Sequence, residues 1–523
     1  MKRLISCLAI AGALLVGAAA QAEICTIDAR PAATLLLPYF EVDIDNPSGV
    51  DTFFSINNAS NDAIITHVVL WTDMSVEALD FNVYLTGYDV QTIGVGQIVR
   101  DGILPVTGDA VSISPVGPFS NTPPGGIDNT IDGFPVCNSL FPYVNPQLLV
   151  EVPGIDGYTY LDHLQAILTG GPSELYDGRC GGFDHGDNIA RGYITVDVTN
   201  DCTLLRPCDA GYFRPGPNGQ VGEYANIIWG DWYMINYENF QAEGDTLVHI
   251  EAVSPGDTAG LAELDRGSFY NRCIFDGAEG GVISGDFPIT LPYFDNREPL
   301  GTTFATRFYQ NAAFDGGTNL LVWRDSQYNV GHVDSIGDQG ESGFDCNIGP
   351  VWYPLTEHQV VAFDEEENTE ITICPISPCP GNNISSLFKI EAQRFDVADL
   401  ALSFESGWLY LNLNQETGNF FFHSYYYGYG APPYLAQAWV QSVHSAEGRY
   451  SVGLPAIQLD SFCDGTSVTI GVPDDGFPVV QTPPDIFYSY YSYYGAPAQR
   501  PHQPVPPHSG DDKVHNDGMN LKP

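Results

Sequence analysis

Two stretches gather side chains that could do chemistry. In Glu41-Val-Asp43-Ile-Asp45-Asn46-Pro-Ser-Gly49-Val-Asp51, several hard oxygen donors fall within 11 residues. Calcium takes about six to eight such oxygens, so Glu41, Asp43, Asp45, Asn46 and Asp51 are its expected ligands here. The spacing is not that of an EF-hand, and the alternative is an acidic turn solvated by water. The second stretch is Cys180-Gly-Gly-Phe-Asp184-His185-Gly-Asp187-Asn188. Asp184, His185 and Asp187 could bind a metal or move protons, with the glycines letting the backbone bend around them. The alternative is a disulfide-anchored turn in which the Asp side chains cap backbone N–H groups. A single His is thin support for zinc.

Other chemistry is excluded or weakly represented. There is no G-x-S-x-G, H-E-x-x-H, Walker loop or dinucleotide fingerprint, although hydrolases that use dispersed carboxylates carry no such signature. Glu365-Glu366-Glu367 reads as a solvated charge run. His502, His508 and His515 sit in a Pro-rich tail, and His67 lies among apolar residues, as a packed side chain does. Two aromatic clusters, Tyr425, Tyr426, Tyr427 and Tyr429, and Tyr490, Tyr491, Tyr493 and Tyr494, each run into Gly-Ala-Pro. They read as a contact surface for sugars or protein, or as Tyr-rich strands with hydroxyls at a sheet rim.

The compartment follows from the start of the chain. Lys2 and Arg3 precede an apolar run, and Ala20-Gln21-Ala22 is a small-x-small ending, so residues 1–22 read as a Sec-type signal peptide. Export to the periplasm or beyond is expected, with no membrane span after cleavage, since no later apolar run reaches the required length. Of the 11 Cys, Cys7 lies in the signal and ten remain, an even number that reads as disulfides in an exported chain. Cys202–Cys208 and Cys374–Cys379 would close local loops. Order along the chain then pairs Cys137 with Cys180 and Cys273 with Cys346, and leaves Cys25 with Cys463. The spacings fit a zinc knuckle poorly.

With 65 acidic residues against 19 Lys and Arg, the net charge is −46. Such a surface repels phosphate backbones and anionic lipid, which excludes nucleic acid as a partner. It favours divalent cations or solubility in salt. Calcium is the one cofactor for which any residues argue.

The elements that must position these groups are strands. Thr34-Leu-Leu-Leu-Pro-Tyr-Phe40 and Thr290-Leu-Pro-Tyr-Phe294 each lead through an acidic, Gly-containing loop to Thr-Phe, then Asn-Ala, then Trp-x-Asp. Phe to Trp spans 31 residues in one copy and 29 in the other, which reads as a duplicated unit. Leu79, Phe81, Val83 and Leu85 alternate with Asp80, Asn82, Tyr84 and Thr86, the pattern of a half-buried strand. Ala63 to Trp71 is apolar on both faces, as a central strand is. Further strands are expected at 191–199, 226–236, 246–253, 386–394, 407–413 and 438–445. A helix is expected after the capping box Thr159-Tyr-Leu-Asp162, with Leu161, Leu164 and Leu168 on one face.

Phe53 to Trp71 resembles the first hairpin of Ig-like sandwiches in exported bacterial proteins. Arg30 to Thr92 and residues 186–205 resemble an uncharacterised group of secreted bacterial proteins, a resemblance that implies no activity. The expected fold is therefore all-β, with two related Ig-like β-sandwich units and a less regular middle segment containing a short helix. The first unit spans 23–280 with an irregular insertion at about 100–190, and the second spans 281–480. Residues 481–523 form a Tyr/Pro-rich disordered tail. The expected function is a non-enzymatic surface or matrix protein that binds glycan or protein partners. The alternative is a hydrolase that attacks a polymer through paired carboxylates.

Overall fold

Thr34–Asp43 is apolar along almost its whole length because it lies inside a sheet that is covered on both sides. In the computed structural model, residues 30–105, 147–253 (less 208, 210 and 214–218), 269–270, 295–310, 317–325, 343–371 (less 348, 350–354, 356 and 358), 387–413, 437–459 (less 447–449), 469–471 and 479–481 are described. All belong to one unit, Met1–Pro483. The signal segment, both Tyr clusters, the expected boundary near residue 280, the tail after Gln481, and Cys25, Cys137, Cys208, Cys273, Cys374, Cys379 and Cys463 lie outside the described residues.

The fold is all-β. The first half supplies β1 (Thr34–Asp43), β2 (Val50–Asn58), β3 (Ile64–Thr72), β4 (Glu77–Leu85), β5 (Val90–Gly94), β6 (Pro172–Ser173), β7 (Arg179–Cys180), β8 (Ile189–Thr199), β9 (Ile228–Trp229), β10 (Asp231–Asn236), β11 (Gln241–Thr246) and β12 (Val248–Ile250), with helices α1 (Val95–Val99) and α2 (Tyr160–Leu168). The second supplies β13 (Thr303–Tyr309), β14 (Gly317–Asp325), β15 (Gln359–Phe363), β16 (Thr369–Ile371), β17 (Ala392–Asp396), β18 (Ser406–Asn412), β19 (Gln437–Ala446), β20 (Tyr450–Pro455), β21 (Ile457–Gln458), β22 (Thr469–Gly471) and β23 (Val479–Gln481).

Each half is built from two antiparallel sheets. In the first, the sheet β12-β1-β8-β3-β4 and the sheet β11-β10-β2-β5 share a core containing Leu35, Val68, Ile194, Phe54, Ile56 and Trp232. In the second, β16-β15-β18-β13-β21 and β17-β14-β19-β20 enclose Phe304, Leu411, Leu320 and Val440. The strand after each Thr-Phe landmark and the strand ending in Trp-x-Asp fall in different sheets in both halves: β2 and β3, then β13 and β14. β14 is apolar on both faces. Leu320 and Val322 enter the second core, while Leu321 and Trp323 enter the first, joined there by Ala392 and Val443. Antiparallel sheets often leave one face wet; here neither face is.

Local expectations hold where local physics decides them. Thr159 caps α2: its side chain accepts from the Asp162 N–H, and the Asp162 carboxylate accepts from the Thr159 N–H at 2.7 Å. Leu164, Ile167 and Leu168 are buried and Leu161 is half-buried. The expected strand at Leu79–Thr86 forms as β4, but its polar face is covered. Asp80, Asn82, Tyr84 and Thr86 are all under 9% exposed. The segment after β8 lies across them, with the Asn82 side chain donating to Thr203 O and accepting from Thr203 N. Alternation marks two faces without saying whether a later loop covers the polar one.

The cysteine pairing by chain order is corrected. Cys180 bonds to Cys346, with Cα atoms 5.1 Å apart, in place of the expected Cys137–Cys180 and Cys273–Cys346 pairs. Cys180 and Phe344 exchange backbone hydrogen bonds of 3.0 and 2.8 Å, which draws residue 346 of the second half beside the loop after α2. Pairing by order assumes nearness in sequence, and this isolated bridge overrides it. Cys202 is also disulfide-bonded, and its partner lies outside the described residues.

Candidate functional site: a charged cleft between the two halves

The residues expected to act together separate in the fold. Asp43 Oδ1 accepts from the N–H groups of Asp45 and Asn46, and Asn46 Oδ1 from Ser48 N–H, so this part of the acidic loop is turn chemistry. Asp45 is exposed. Asp51 points the other way: it accepts from Gly96 N–H in α1 and from Arg100, at 3.0 and 3.1 Å. Its carboxylate fills the space where a side chain on Gly96 would sit. Glu41 leaves the loop altogether and enters a cleft.

The second expected cluster divides in the same way. Asp184 accepts from Gly186 N–H within its own turn. Asp187 makes a bidentate pair with Arg191, at 2.6 and 2.8 Å. His185 reaches Asp73, with Nε2 2.9 Å from Oδ2. Asp73 is buried, and burial raises its pKa against the opposing pull of His185 and the Phe183 N–H. Asp73 also ties the halves together, its carbonyl accepting from the N–H groups of Glu391 and Ala392. In the sequence it stands out only as the end of the first Trp-x-Asp landmark. Among the described residues, no group of three or more His, Cys, Asp or Glu side chains is placed to hold a metal ion.

The cleft lies between the two halves and has a volume of about 320 Å³, the lower end of the range for ligand sites. An irregularity in β1 between Leu37 and Phe40 sets the register of the strand's second part, which pairs Glu41 with Arg191 on β8. β11 contributes Glu243, and β17 of the other half contributes Arg394. Arg394 bridges the two carboxylates: Nη2 donates to Glu243, and Nε lies 3.5 Å from Glu41 Oε1. The same Glu41 oxygen lies 3.6 Å from Arg191 Nε and accepts from the Tyr39 hydroxyl at 2.7 Å. Asn236, Gln241, Asn319, Ser445 and Ser451 complete the polar lining.

The two carboxylates titrate in opposite directions. Burial opposes ionisation of Glu41, but Arg394, Arg191 and the Tyr39 hydroxyl outweigh it and hold its carboxyl below the usual range. For Glu243 burial prevails over Arg394 and pushes the carboxyl up. Glu243 Oε2 is buried without a hydrogen-bond partner among the described residues. Arg191, Arg394 and Glu243 are absent from the sequence-based candidates. A usable signal existed: in a chain this poor in cations, an Arg inside a strand is conspicuous, since it is buried only when paired.

The chain matches no protein family, no curated protein and no solved structure.

Proposed function

We propose that the protein is exported and non-enzymatic, a surface or matrix protein that binds glycan or protein partners. The observation that carries this reading is the cleft lining. Its charges neutralise one another, and beside apolar residues such as Val50, Ile189 and Met234 its remaining polar groups are carboxamides and hydroxyls that both donate and accept hydrogen bonds. Such a lining suits a hydroxyl-rich or peptide-like ligand. Disulfide bonding and the acidic composition accord with life outside the cytoplasm. Calcium belongs to the proposal as a stabilising ion at the turn that keeps Asp43, Asp45 and Asn46 together. A melt with excess calcium and then a chelator tests it, a reversible rise being expected and an unchanged melt removing the ion.

The hydrolase reading draws on one observation, the opposite titration of Glu41 and Glu243 in one cleft, a pattern of acid and base pairs. Against it, the Arg394 guanidinium stands between the carboxylates, where a scissile bond would have to lie. The experiment is calorimetric titration of soluble oligosaccharides and peptides into the purified protein and an Asn319→Ala variant, with product analysis of the same mixtures. Saturable binding weakened by the substitution, with the ligand recovered intact, is expected. Cleavage that disappears in Glu243→Gln would replace this reading with the hydrolase one.

A further inference from the structure

We infer that the outer face of β9 and β10 is a binding surface for a neutral polysaccharide chain. This rests on the reading of the protein as a binder and specifies what that reading leaves open, the class of ligand and the face it meets.

Inner and outer residues alternate along β10. Trp232 and Met234 point into the core. On the opposite face stand Trp229, Asp231, Tyr233 and, just beyond the strand, Tyr237. Trp229, Tyr233 and Tyr237 are 42%, 51% and 46% exposed. The register holds across this run: Asn57 pairs with Trp229, and Phe53 with Tyr233. Tyr237 N–H still donates to Gly49 O beyond the end of the strand. Trp229 and Tyr233 therefore stand four residues apart on one extended run, about 13 Å, and Tyr237 follows four residues later in the turn that ends it. One sugar ring cannot span that spacing; a linear chain of them can.

Glycines stand beside two rings of this sheet. Gly244 on β11 is opposite Tyr233, and a Cβ there would come within 3.0 Å of Tyr233 Cδ1. Gly94 on β5 is opposite Phe53, and a Cβ there would come within 3.3 Å of the Phe53 ring. Glycine is otherwise unfavourable inside a strand and marks a close approach. At both places the missing side chain leaves room for the neighbouring ring. Between Trp229 and Tyr233, Asp231 is pinned: Ser55 Oγ donates to Oδ1 at 2.6 Å, and the Tyr233 hydroxyl lies 3.4 Å from Oδ2. The surface thus alternates ring, acceptor, ring. Ring faces stack on the C–H faces of pyranoses, and a fixed carboxylate accepts from their hydroxyls. With a net charge of −46 the chain repels acidic polymers, and stacking on rings calls for no charge on the ligand.

The test is retention of the full mature chain on amorphous cellulose, chitin and insoluble starch, repeated in high salt. Trp229→Ala, Tyr233→Ala and Tyr237→Ala are compared with wild type, with melting curves as the control for folding. Retention by at least one polymer is expected, insensitive to salt, with about tenfold weaker binding for each lost ring and near-normal binding by Tyr233→Phe. If wild type is retained by none of the three, the proposal is overturned; the broader binding reading is then judged separately by the cleft titrations with Asn319→Ala. If wild type is retained and the three alanine variants are retained equally, the face is wrong although the protein binds glycan.

Discussion

Trp323 packs edge-on against Tyr193, their ring centroids 5.8 Å apart, and Trp71 stacks on the same Tyr193 at 6.0 Å. The tryptophans of both Trp-x-Asp landmarks thus flank one tyrosine on β8, so the two halves meet through them. Trp323 is 1% exposed. Trp323→Ala should cost about 3–5 kcal/mol and lower the stability of both halves together. Thermal unfolding followed by near-UV signal and by calorimetry should give a single coincident transition in wild type. Two separated transitions would contradict a shared core.

Arg297 is fully buried. Its guanidinium donates to Thr34 Oγ1, Asp295 O and Glu223 O, lies 3.5 Å from Asp197 and sits over the Phe213 ring at 4.2 Å. Asp197 meanwhile accepts from the hydroxyls of Tyr212 and Tyr270, at 2.8 and 2.9 Å. An ammonium group cannot reproduce this planar set of donors. Arg297→Lys should therefore destabilise nearly as much as Arg297→Met, by about 3–5 kcal/mol. Urea unfolding measures both, and a lysine variant within about 1 kcal/mol of wild type would rule out the network as a determinant of stability.

Asp80 gives the stability a pH dependence. Burial pushes its carboxyl from 3.8 up to about 7, with Asp209 adding to the rise and Arg206 opposing it. The facing His67, whose Nε2 lies 3.6 Å away, is pushed by burial down to about 4 and is neutral near pH 7. A raised carboxyl favours the folded state while protonated. Its contribution is complete below pH 3.8 and is lost as pH rises through about 7. The full effect is on the order of 4 kcal/mol. Asp80→Asn should remove this slope, so its melting temperature gains on wild type between pH 4 and 8. Parallel melting curves across that window would dismiss it.

The Cys180–Cys346 bond closes a loop of 166 residues. Non-reducing peptide mapping should recover peptides containing these two cysteines as a linked pair. A Cys180→Ser/Cys346→Ser double variant should lose about 3–5 kcal/mol in denaturant unfolding. A linked Cys137–Cys180 peptide would refute the pairing.

What could be read in advance was what neighbouring residues decide among themselves. The capping box at Thr159 and Asp162 involves residues three apart, and the apolar run of β3 is long enough to require a central position in a sheet. The candidate site was less legible because its parts come from four strands. Glu41 looks like a loop ligand until β8 sets Arg191 opposite it, and Arg394 meets Glu243 across 151 residues. Asp184, His185 and Asp187 are adjacent in the chain and turn to three different partners. Closeness in sequence was a poor guide to shared chemistry, just as it was for the cysteines.

β14 has a consequence for how the protein can be cut. Since Leu320 and Val322 serve one core and Leu321 and Trp323 the other, the sheet is a party wall between two rooms. Excision of either half would leave a bare hydrophobic partition facing water, prone to stick to the next copy it meets. Neither half is therefore a module that could be excised and kept folded on its own.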